Sequence, residues 1–203
     1  MEEKQITEKE SLQLISKMIY EAKGYYYENG VSALVYGFSI LICSLLSFFM
    51  VEKNIPFPFN PFYILIPVFF VQGWIQNRQD KKKKAKTFTD ETIDYVWIGF
   101  FLSCIASLSA LFAGIGYIVI SIILILTGFA SLLTGLIAKF HYHIVSAVIC
   151  LVLAAISFFL QNQNSYLLLA ITAVMIWIIP GFILRSAFKK VLEEEKNQRA
   201  LDV

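Results

Sequence analysis

Residues 140–184 read FHYHIVSAVICLVLAAISFFLQNQNSYLLLAITAVMIWIIPGFIL, 45 positions without a single Asp, Glu, Lys or Arg. A helix needs about 20 apolar residues to cross the hydrocarbon of a bilayer, so this stretch holds two crossings. The polar run Gln161–Asn162–Gln163–Asn164–Ser165 divides it and predicts a tight turn between antiparallel helices. Three further charge-free stretches, 29–51, 54–77 and 95–138, contain 23, 24 and 44 residues. They have room for one, one and two crossings. In lipid every backbone N–H and C=O must be bonded within its own segment, which selects helices. The sequence therefore predicts an all-α, polytopic membrane protein, with six transmembrane helices in a compact bundle. The expected spans lie near 31–51, 60–77, 95–113, 117–138, 142–160 and 166–187.

Bulk composition agrees with that division. The chain is 58% hydrophobic and 16% charged, against about 45–50% and 25% for soluble domains. Its 203 residues divide into an amphipathic cytoplasmic helix (1–30), a membrane domain (31–187) and a cytoplasmic helical tail (188–203), leaving no separate globular domain. The first 30 residues carry ten charges and lack the apolar core of a cleavable signal, so the first span is expected to act as an uncleaved insertion signal. Charge also sets orientation. Of the 17 Lys and Arg, 16 fall on the side of the N-terminus; Lys53 alone falls on the other. The positive-inside rule then puts both termini in the cytoplasm.

Several local features refine the spans. Asn60–Pro61 suits a helix start, with Asn as cap and Pro at the first helical position. Pro67 cannot bond the carbonyl of Tyr63, and Pro180 cannot bond that of Ile176, so kinks are expected at both. The second span, Pro61 to Asn77, covers 17 residues, about 25 Å of helix. Gly114–Ile115–Gly116 marks another tight outer turn. Small residues recur at four-residue spacing as Gly99, Ser103, Ser107 and as Thr127, Ser131, Gly135. Such seams let helices approach closely, within one chain or between copies. Cys43, Cys104 and Cys150 fall in three different spans and read as small packing residues rather than a disulfide framework.

At the cytoplasmic edge, Thr7–Glu8–Lys9–Glu10 matches a capping box. Leu12, Ile15, Ile19, Ala22 and Tyr26 follow at three- and four-residue steps and form one apolar stripe. Such a helix can lie on the bilayer, pack under its own bundle, or bind a partner. Leu12, Ile15, Ile19 and Tyr26 are the candidate docking residues. Lys81, Lys82, Lys83 and Lys84 act on topology and would attract anionic lipid headgroups. Nucleic acid is not an expected partner, because this one short run has no interleaved aromatics or recognisable fold around it. The segment Leu184–Arg199 pairs Lys189 with Glu193 and Lys190 with Glu194 at i,i+4, which describes a solvated helix.

Catalytic chemistry has no visible carrier. No Asp, Glu, Lys or Arg lies in the core of a span, where such groups would mark ion or proton pathways. Gln72 is the strongest polar side chain at mid-span, suited to an interhelical hydrogen bond or to lining a path. His141 and His143, at i,i+2, do not share a helix face and have no Cys or carboxylate close in sequence, so interfacial anchoring outweighs metal binding. Neither a G-x-S-x-G elbow nor a nucleotide-binding loop occurs. No catalytic residue, metal or cofactor is expected.

One resemblance adds to these readings. Ser11–Leu12–Gln13–Leu14–Ile15–Ser16–Lys17–Met18–Ile19–Tyr20–Glu21–Ala22–Lys23, then Gly30 and the pair Tyr36–Gly37, resembles the start of a family of small, uncharacterised integral membrane proteins of Bacteroidetes-type bacteria. It covers residues 10–46 and implies a bacterial inner membrane without implying an activity; where that family tends to place Trp before the Gly, this chain has Tyr36. The function expected is a non-enzymatic interaction or regulatory protein whose partner, a cytoplasmic protein or a second copy, meets the cytoplasmic face. The alternative is a small transporter or channel for a neutral or apolar solute, with its path near Gln72. A membrane enzyme ranks third.

Overall fold

The computed structural model describes residues 30–55, 60–80, 88–109, 116–160 and 162–201. All regular structure among them is helical. In chain order the elements are α1 (Val31–Glu52), a 3-10 turn (Pro61–Ile64), α2 (Leu65–Asp80), α3 (Phe88–Ser107), α4 (Gly116–Ile137), α5 (His141–Leu160), α6 (Asn164–Ala173), a π-helical turn (Val174–Ile178) and α7 (Ile179–Leu201). The last three run on as one helix. Among the described residues four helices are long and apolar enough to cross a membrane: Val31–Glu52, Tyr117–Ile137, His141–Leu160 and Asn164–Lys190. The chain is therefore a membrane-embedded helical protein.

The other two expected spans take a different form. Pro61–Ile75 is apolar but shorter than a full crossing. α3 begins at Phe88, seven positions before the charge-free stretch, and takes Asp90 and Glu91 into its first turn. Carboxylates are favourable there, where free N–H groups and the helix dipole present positive charge. The outer end of the expected span 95–113 lies partly outside the described residues.

Chain reversals follow from capping chemistry. The Asn60 side chain accepts from Phe62 N at 3.0 Å and Pro61 follows it, so the cap starts a 3-10 turn. Pro67 then falls in the first turn of α2, three residues after the 3-10 turn ends. The α4–α5 reversal is a Schellman motif: Phe140 N donates to Gly135 O at 2.9 Å and Lys139 N to Leu136 O at 3.3 Å. Lys139 takes the left-handed position, φ 53°, usually held by glycine. α1 ends the same way with Asn54 at φ 49°, Ile55 N donating to Met50 O and Asn54 N to Val51 O. Gln163 Nε2 donates to Glu52 Oε2 at 3.0 Å, tying the end of α1 to the α5–α6 turn.

Packing centres on α4 against α5 and α1 against α6. Ile120, Leu124, Cys150, Ala154, Leu169 and Ile176 form the buried cluster, drawn from α4, α5, α6 and the π turn. Close approach comes from small residues. A Cβ on Gly128 would lie 2.8 Å from Leu151 Cδ2, and one on Gly135 2.9 Å from Ile144 Cγ1. On the other side of the core, Gly37 of α1 meets the π turn and Gly181 of α7 meets Leu34. α2 packs on α1 and α3 on α4, leaving Phe70, Trp74, Ile98, Leu102 and Ile105 exposed. Side chains of that kind facing outward suit hydrocarbon.

Candidate functional site

The interior is polar for an apolar bundle, and most of its polar groups are Ser and Thr hydroxyls. On the α4–α5 seam most are bonded. Ser121 Oγ and Ser157 Oγ lie 2.9 Å apart, both fully buried. Thr127 donates to Ile123 O at 2.7 Å and Thr134 to Ala130 O at 2.8 Å, back-bonds that let a hydroxyl live inside a helix bundle. Cys150 Sγ donates to Leu124 O at 3.3 Å across the seam. The α1–α6 face differs. Ser44 and Ser47 on α1 and Ser165 on α6 are buried, and their oxygens have no hydrogen-bond partner among the described residues. An unsatisfied buried hydroxyl costs about 1–3 kcal/mol, so these oxygens ask for a partner such as water or a polar solute.

A second feature lies at the π turn. Ile179 N–H reaches Val174 O, five residues back, so the helix absorbs the imide of Pro180 by widening one turn. This widened turn presents Trp177 to α1 and α3. Tyr36 packs edge-on to it at 4.9 Å between ring centroids, and Trp97 tilts against it at 4.8 Å. Phe101 links Tyr36 at 6.2 Å to Phe69 of α2 at 5.2 Å. Gly37 is required here: a Cβ would stand 2.7 Å from Trp177 Cβ and 2.9 Å from Ile178 Cγ1. Gly30 is required for two reasons, a left-handed φ of 68° and a Cβ position blocked by Gly181 O.

Gln72 lies one turn beyond Phe69 on α2, on the face that Phe69 turns toward Phe101. Its Oε1 is buried and has no partner among the described residues. His143 is buried on α5 with Nδ1 unpartnered among the described residues and its ring stacked on Phe140 at 6.0 Å, while His141 is exposed. The two imidazoles are not brought together. No group of three or more His, Cys, Asp or Glu that could hold a metal occurs among the described residues. Cys43, Cys104 and Cys150 are free thiols; Cys43 Sγ donates to Pro61 O at 3.2 Å and so pins the 3-10 turn to α1. The candidate docking residues Leu12, Ile15, Ile19 and Tyr26 lie outside the described residues, as do Lys81, Lys82, Lys83 and Lys84.

Sequence reasoning missed the Tyr36–Trp97–Trp177 cluster and the unpaired serines. Pro180 signalled the first only in part, because the partners of Trp177 come from helices far away in sequence. The spacing of Ser44 and Ser47 at i,i+3 was a usable sign of one polar face. Comparison with protein-family models, with curated proteins and with solved structures finds no match.

Proposed function

We propose that the chain is a six-span protein of a bacterial inner membrane, with both termini in the cytoplasm, that works by binding a protein partner at its cytoplasmic face. Four crossings come from α1, α4, α5 and the α6–α7 helix; α2 with its 3-10 turn and α3 supply the other two. Their outward Ile66, Phe70, Ile98 and Leu102 support this, since each such side chain left in water forfeits about 1.5–3 kcal/mol. Orientation rests on the one-sided distribution of Lys and Arg, and the bacterial membrane on the resemblance of residues 10–46.

The observation that carries the binding reading is the closure of the bundle at glycine. Gly37, Gly128 and Gly135 bring helices too close for an added Cβ, so the bundle is closed at these three seams. The apolar stripe Leu12, Ile15, Ile19 and Tyr26 is then the recognition element that the sequence offers. The test is recovery of the partner with the intact chain from mild detergent. Leu12→Asp with Ile19→Asp should abolish recovery while the protein stays inserted and monodisperse. Unchanged recovery refutes the assignment.

A transporter for a small neutral solute is the second reading. The unpartnered Gln72 Oε1 and the Ser44, Ser47 and Ser165 hydroxyls favour it, since neutral hydrogen-bonding groups suit neutral cargo. Gln72→Leu should then reduce solute-driven swelling of reconstituted vesicles. Equal swelling with and without the protein excludes this reading.

A further inference from the structure

On α2, Ile66, Phe70, Trp74 and Arg78 follow one another at steps of four, the spacing that forms a ridge winding along a helix. The first three are 59%, 71% and 56% exposed, and Arg78 is exposed as well. The guanidinium carbon of Arg78 lies 3.9 Å from the Trp74 ring centroid. Stacking fixes the plane of the guanidinium and leaves its N–H edge free to donate. Beside the ridge, nothing among the described residues lies within 4 Å of where a Cβ on Gly73 would stand, so a shallow trough accompanies it. Along the axis the ridge therefore passes from aliphatic to aromatic to indole to cation.

We infer that this ridge is a binding site for one anionic phospholipid, with the acyl chains along Ile66, Phe70 and Gly73 and the phosphate on Arg78. Dimensions agree. From Ile66 to Arg78 the helix rises about 18 Å, close to one leaflet of a bilayer that is about 40–45 Å thick with its headgroups. Indoles settle at the boundary between hydrocarbon and headgroup, where Trp74 would stand. Charge complementarity selects the sign of the lipid. Between Arg78 and Lys86 the sequence has six basic residues against Asp80 alone, which raises the local concentration of anionic headgroups. A forked guanidinium then gives a phosphate two parallel hydrogen bonds, which a point charge does not.

This site rests on the membrane-embedded reading but not on the proposed partner, so the two fail separately. The experiment is native mass spectrometry of the delipidated, detergent-solubilised full chain with phosphatidylglycerol, phosphatidylcholine or glycerol 3-phosphate. One phosphatidylglycerol should be retained about tenfold more strongly than phosphatidylcholine, as expected for charge-assisted hydrogen bonds. Arg78→Gln should remove that preference, and Arg78→Lys should restore only part of it while both variants stay monodisperse. Equal retention of the two lipids, or an unaltered preference in Arg78→Gln, overturns the site. Glycerol 3-phosphate binding as tightly as the lipid also overturns it, because the apolar ridge would then contribute nothing.

Discussion

Gly37 offers the sharpest test of how the bundle is held. Replacing it with Val puts a branched side chain where a Cβ alone would meet Trp177 Cβ at 2.7 Å, Ile178 Cγ1 at 2.9 Å and Ile178 N at 3.2 Å. Carbon atoms prefer separations of about 3.5–4.0 Å, so α1 and the π turn must part by about 1 Å at this point. Two of the three obstacles are backbone or directly attached to it, and no rotamer change relieves them. Overpacking of this kind costs about 1–3 kcal/mol. Gly73 and Gly99 are the internal controls: nothing among the described residues lies within 4 Å of a Cβ at either. Gly73→Ala and Gly99→Ala should be neutral, or stabilising by up to about 1 kcal/mol from helix propensity. Unfolding of the purified protein by SDS in mixed micelles, followed by helical circular dichroism, measures all three. Near-ultraviolet dichroism of the Tyr36–Trp177–Trp97 cluster should change in Gly37→Val alone. Gly37→Val as stable as the parent chain, with Gly73→Ala destabilised, would refute the packing described.

Three further outcomes are expected. A double-mutant cycle of Ser121→Ala and Ser157→Ala, read in the same unfolding assay, should give a coupling of about 0.6 kcal/mol and no more than about 1.7 kcal/mol; zero coupling means their 2.9 Å contact contributes nothing. Pro180→Ala returns a donor to the Ile176 carbonyl, so the widened turn should tighten and shift the emission of Trp177, and an unchanged spectrum would assign the π turn to packing on Gly37 rather than to the imide. Ser44→Ala should leave stability unchanged or raise it, because the oxygen it removes has no partner among the described residues; a loss of about 1 kcal/mol or more would show that a bound water or solute satisfies it.

Hydrophobicity and charge made the membrane character legible, because a bilayer tolerates so few backbone solutions. The hairpin of α4 and α5 shows where legibility stops. Thr127, Ser131 and Gly135 look like Gly99, Ser103 and Ser107 in sequence, yet the first set packs inside the chain while nothing among the described residues comes within 4 Å of a Cβ at Gly99. Spacing reports that a face is smooth, not what covers it. The reversal itself turns on Lys139 in a left-handed conformation, which composition does not predict for lysine. α3 carries Asp90 and Glu91 ahead of the charge-free stretch, where the helix dipole favours carboxylates, so helical structure reaches past the hydrophobic boundary. Pro180 was readable as a break in the hydrogen-bond ladder, but the π turn it sits beside packs against Gly37 and Tyr36, more than a hundred residues away, which no local pattern reports. Of the candidate site residues, Gln72 alone combined legibility with a described environment.

Six crossings with cytoplasmic termini underlie the proposed partner surface. Substituted-cysteine labelling in intact cells with a membrane-impermeant maleimide addresses them directly, the native thiols of Cys43, Cys104 and Cys150 lying within the helical segments. Cysteines placed at Asn54 and Asn162 should label from outside, while those at residue 1, within 79–88 and at residue 203 should label only after permeabilisation. Labelling of the 79–88 segment from outside, with Asn54 also accessible, would mean that α2 does not cross, and the six-span architecture would be wrong.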